Sequence, residues 1–104
     1  MKIYRQGDVL LMKIEEIPAG ADKVKRENLE IILAHGEATN HTHAIASMDA
    51  TLFMTKDSLE RFLRVDKTVR LRHQEHDTII IEPGDWKVIQ QKEYHPEEIR
   101  NVAD

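Results

Sequence analysis

The chain has no cysteine among its 104 residues. That absence excludes disulfides, thiolate-bound metals and cysteine nucleophiles in one step. It also points to a cytoplasmic protein, since small secreted domains commonly depend on such staples. Aromatic residues are scarce: Tyr4, Phe53, Phe62, Trp86 and Tyr94 are all there are. Aliphatic side chains must therefore build the core, with Trp86 as a core or interface anchor. The four glycines are isolated from one another, so no G-x-G-x-x-G or Walker-type loop exists to cradle phosphate. Ser47 and Ser58 lack a nucleophile-elbow context. The opening stretch MKIYRQGDVL has no signal-peptide core and no apolar run reaches membrane-spanning length, so no membrane partner is expected.

Charge is plentiful but balanced, with a formal net charge of −4. A broad nucleic-acid surface needs clustered Lys and Arg, so nucleic acid is not the expected partner. Arg61, Arg64, Arg70 and Arg72 could form a basic cluster on one hairpin, though Arg61 and Arg64 would sit on opposite strand faces, and they read as solvated charge among acidic neighbours. The length predicts a single domain over residues 1–104.

Apolar residues come in short bursts separated by turn signals, which predicts roughly seven strands and an all-β barrel or sandwich. Strands are expected at residues 8–14, 29–34, 41–47, 51–55 and 78–82. Residues 15–28, with Pro18 and Gly20, read as a loop. Over 57–65 a helix competes with a strand, and the strand is preferred as a hairpin of RFLRV against TVRLRH. PGD, residues 83–85, reads as a turn needing glycine at positive φ, followed by a last strand over WKVIQQKEY. PEEIRN, residues 96–101, is a candidate for one short helix or an extended tail.

Four of the six histidines fall in two stretches, GEATNHTH and RHQEH. On a strand, His41 and His43 share one face with Ile45 and lie about 7 Å apart along the backbone. Val69, Leu71 and His73 share another inward face, whereas His76, three residues on, needs a bend near Gln74–Glu75 to join them. Neutral imidazoles suit a divalent transition metal such as Zn, Ni or Fe. The predicted ligands are His41, His43, His73 and His76. Glu37, Glu75 and Asp77 are the nearby acids, with Glu75 preferred as a partner of the ligands or an acid–base group. His35 reads as a turn residue that could reach the same pocket, and His95 as exposed. Gln90, Gln91, Glu93 and Tyr94 form a polar strand end that could pair across a homo-oligomer.

GEATNHTH resembles the first motif of the cupins, where a glycine precedes an H-x-H pair on a strand. IIIEPGDWKVIQQKEYH is similar in layout to the later cupin region. The resemblance implies a small β-barrel in which His41 and His43 are paired ligands and His95 a distant one; His73 and His76 have no counterpart in it. QGDVLL, GEATNHTHAI, RHQEH and QKEY together also resemble small uncharacterised proteins of bacteria and their phages. HTH matches half of the paired signature of RNA-ligase-like phosphoesterases, but HQEH does not supply the other half.

Two functional expectations follow. One is a histidine-rich metal-binding domain, acting either as a metal-dependent enzyme or as a small-molecule binder. The other is a non-enzymatic, homo-oligomeric interaction module with a structural metal or none.

Overall fold

The computed structural model describes residues 2–35 and 41–91. Within them lie ten short strands: β1 (Ile3–Gln6), β2 (Val9–Ile14), β3 (Ala21–Lys23), β4 (Ile31–His35), β5 (Thr42–Ile45), β6 (Ala50–Thr55), β7 (Arg61–Val65), β8 (Val69–Leu71), β9 (Ile79–Ile81) and β10 (Gly84–Gln90). The described residues contain no helix, and hence none long and apolar enough to cross a membrane.

Period-two alternation generates the layers. Val9 and Leu11, Leu63 and Val65, and Trp86 and Val88 each turn one face of a strand inward. Those strands belong to a six-stranded sheet of order β1-β2-β10-β7-β6-β3, antiparallel throughout. Ile31, Leu33, Ile45, Val69, Leu71 and Ile81 join the same buried cluster from two smaller ladders, β4-β5 and β8-β9. Ala44 and Arg72 exchange both backbone hydrogen bonds at 2.9 Å, which joins the two ladders into one facing layer. The large sheet begins at β1 and ends at β3 without closing on itself, so the all-β expectation holds as a sandwich-like fold. Trp86 is fully buried between the layers.

Three sequence expectations change. RFLRV does form a strand, but it pairs with β6 and β10 rather than with TVRLRH. Phe62 is buried as well as Leu63 and Val65, the pattern of a strand in mid-sheet. Its exit is tied by Asp66 N–H to Asp49 O at 2.7 Å, and the chain then crosses to the other layer, where β8 pairs with β9. Part of the supposed loop 15–28 is β3, and β1 was not anticipated. Gly84 opens β10 at φ 146°, consistent with the glycine requirement read from PGD. Residues 96–101 lie outside the described residues.

One irregularity matters for the site. The register of β4 against β5 shifts between Ile32 and Ala34, leaving Leu33 as a bulge residue. Arg61, on the inner face of β7, donates through Nη1 to the Leu33 carbonyl. That bond satisfies a backbone oxygen the bulge takes out of the ladder, and it fixes Ala34 opposite His43. Burial lowers the Arg61 pKa from its ordinary value. Removing the donor with Arg61→Ala should therefore cost about 1–3 kcal/mol in urea unfolding. Arg64→Ala on the opposite face, which loses an exposed pair with Asp85, should cost about 0–1 kcal/mol. Equal costs would show that the bulge does not depend on Arg61.

Candidate functional site

The Ala44–Arg72 bonds set β5 and β8 side by side, and the residues next to that pair are His43 and His73. Their ring centroids lie 4.4 Å apart. The chain bends over Gln74–His76, which returns His76 to the same side, 4.5 Å from the His73 ring and 6.1 Å from that of His43. His41 stands 5.5 Å from His73. The side chain of Gln74 fastens this bend by accepting the Thr42 N–H at 2.8 Å, between His41 and His43. The structure thus assembles all four imidazoles expected from the sequence, including the one that required a bend.

Gln6, at the end of β1, organises the deepest of them. Its Nε2 donates to Leu71 O at 2.8 Å and to Asp77 O at 3.0 Å. Both amide hydrogens are then used, so Oε1 is the acceptor facing His43 Nδ1 at 2.8 Å. His43 must carry its hydrogen on Nδ1, and its Nε2 is left as a lone pair. That nitrogen lies 3.1 Å from Asp8 Oδ1. Asp8 Oδ2 in turn accepts from Gln90 at 3.1 Å.

Burial holds the His43 pKa below its ordinary value, with the neighbouring His73 and His76 acting in the same direction and Asp8 opposing them. Burial alone would raise Asp8, yet the hydrogen bond from Gln90, a backbone hydrogen bond and the proximity of His43 leave its pKa below normal. A neutral imidazole and a carboxylate therefore present lone pairs to one gap. Such a contact is favourable only with a proton or a cation between them.

His73 is differently engaged. Its Nδ1 accepts the backbone N–H groups of Glu75 at 3.0 Å and His76 at 3.2 Å. In the neutral ring the hydrogen must then sit on Nε2, so no lone pair is free there. Burial and then His76 and His41 lower its pKa. His76 packs over Gly7, whose φ is 57° and where an added Cβ would lie 2.5 Å from His76 Nε2. Glu75, largely exposed, approaches His41 Nε2 at 3.5 Å. Among the described residues, no group of three or more His, Asp or Glu side chains stands ready to hold a metal ion.

The remaining acids and histidines separate. His35 is exposed and faces Glu27 at 3.2 Å, not a ring of the cluster. Asp77 contributes its carbonyl to Gln6. Glu37, Glu93, Tyr94 and His95 lie outside the described residues. Gln91 accepts from Arg5 at 3.0 Å, while Gln90 supports the site through Asp8. Sequence reasoning missed Gln6, Gly7 and Asp8. The contiguous QGD ahead of a strand was the available signal, but no periodicity marks it as functional.

The chain belongs to the family described as Domain of unknown function (DUF8820), which matches residues 5–91. No curated protein and no solved structure matches it.

The depressed histidines give stability a pH dependence. In the folded chain His43 and His73 resist protonation relative to the ordinary value of 6.5, so the unfolded chain binds more protons as pH falls. Their contribution is complete above about 6.5 and is lost below it, toward the depressed folded values. Urea unfolding with chelator present should show stability falling from about pH 7 to pH 5. The fall should be shallower in a His43→Gln/His73→Gln protein. An equal slope in both would show that other groups carry the dependence.

Proposed function

We propose that this domain binds a divalent transition metal at the gap between His43 Nε2 and Asp8 Oδ1. The observation that supports the reading most directly is the imposed tautomer of His43. Gln6 commits Nδ1–H, so the lone pair on Nε2 meets a carboxylate at 3.1 Å. A hydrogen-bonded second nitrogen is also how proteins orient metal-ligating histidines. His73 and His76 beside the His43 ring, and His41 beside His73, are the further ligands in this reading, and Glu75, 3.5 Å from His41 Nε2, orients His41. His73 joins only if its ring releases the Gln74–His76 bend, so loading involves a rearrangement there. Imidazole with one carboxylate suits Zn, Ni or Fe better than Mg or Ca. A bound ion of this kind supplies Lewis acidity toward water or a small ligand. Gln6, Asp8 and Gln90 hold the ligands in place.

A second reading has its own support. His73 is already satisfied by two backbone donors, as expected of a polar network that stabilises a non-enzymatic interaction module without metal.

Thermal unfolding of untagged, chelator-treated protein distinguishes the two. Added Zn or Ni at a hundredfold excess over Kd should stabilise the protein by about 2–3 kcal/mol, and Co should give ligand-field absorption. His43→Ala should abolish both responses, and Gln6→Leu should weaken binding by about 10–100-fold. A wild-type protein indifferent to Zn, Ni, Co and Fe would sink the metal reading and leave the network one.

A further inference from the structure

The same strand pair has an outer face, and its chemistry is different. Of the four arginines in the basic cluster, Arg61 is spent on the Leu33 carbonyl and Arg64 on Asp85. Arg70 and Arg72 are exposed, and among the described residues neither side chain has a hydrogen-bond or ion-pair partner. Arg70 lies on β8 and Arg72 just past its end, bridged to Ala44, so both point away from the core that holds Val69 and Leu71, about 7 Å apart along the backbone. A groove of about 510 Å³ lies against them, lined also by Ala46, Ser47, Thr68 and Ile80.

The groove has a definite construction. The Ala44–Arg72 pairing, continued by its register, sets Ala46 opposite Arg70, and Arg70 faces Ile80 across the β8-β9 ladder. The short side chain of Ala46 leaves room that a larger residue would fill. Ile80 is half exposed and gives an apolar flank. Ser47 turns its hydroxyl to Asp49, which leaves Thr68 and two guanidinium forks as the donors. This combination is selective: two cations and a hydroxyl ask for a compact, multiply charged oxyanion, and the apolar flank asks for a carbon body attached to it. The volume falls in the ~300–1,000 Å³ range of small-ligand pockets. The net charge of −4 disfavours a long polyanion.

We infer that this outer groove binds a small phosphorylated organic molecule through Arg70 and Arg72. The inference is independent of the metal reading, because the two features occupy opposite faces of β5 and β8.

Amide and arginine side-chain NMR shifts provide the test, with phenyl phosphate, inorganic phosphate, benzoate and phenol as probes. Phenyl phosphate should move the signals of residues 46–47 and 68–72 saturably, inorganic phosphate more weakly, and phenol not at all. Arg70→Gln/Arg72→Gln should weaken phenyl phosphate at least about tenfold, and Arg70→Lys/Arg72→Lys should weaken it less, since charge remains without the fork. The zinc response of the Gln variant should match that of the wild type, which also reports that it folds. Absence of a saturable shift overturns the proposal, as does unchanged affinity in the Gln variant. Benzoate binding as tightly as phenyl phosphate would overturn the assignment to phosphate.

Discussion

The carboxamide of Gln6 can be oriented in only one way. Two carbonyl oxygens, of Leu71 and Asp77, stand at its nitrogen, and exchanging nitrogen for oxygen would set three acceptors together. From that constraint the rest of the inner site follows: the tautomer of His43, the direction of its lone pair, and the conflict with Asp8. The same side chain ties the end of β1 to the strand β8 and to the segment leading into β9. It therefore fixes chemistry and architecture at once. Gln6 is almost wholly buried, so any substitution that breaks one of these bonds leaves polar groups without water to replace them.

Much of the sandwich was legible because burial follows alternation. Val69, Leu71 and His73 read as one inward face, and His41, His43 and Ile45 as another, and both faces are inward in the fold. The requirement for a bend before His76 could also be read from parity alone. The pairing of β7 could not. Its side-chain pattern fits a partner on either side, and only the second layer's need for Val69 and Leu71 sends β8 away. β3 was hidden by its composition, since Ala21, Asp22 and Lys23 carry no strand signal.

The functional residues divide along the same line. Histidines declare themselves by type, and their convergence needed only neighbouring strands. Gln6 and Asp8 are ordinary polar residues whose roles depend on which atoms face them across the fold. Gly7 sits between them for a reason no pattern reveals: the His76 ring occupies the space a side chain would take. Asp77 was one of three candidate carboxylates, and what it contributes is its carbonyl. The cupin resemblance pointed to His41 and His43 but had no place for RHQEH, which supplies the other two rings.

The bulge at Leu33 has a consequence for fidelity of assembly. Outward guanidinium groups and inward side chains alternate from β8 into the residues just after it: Arg70, Leu71, Arg72, His73. A slip of one residue in the pairing of β8 with β5 would carry Arg72 into the core and expel His73 to solvent. Each strand is too short to resist such an error through its own ladder. The irregular step in β4, capped by Arg61, sets Ala34 opposite His43, so the local defect in one ladder lies directly behind the strand against which the two faces of the next are sorted.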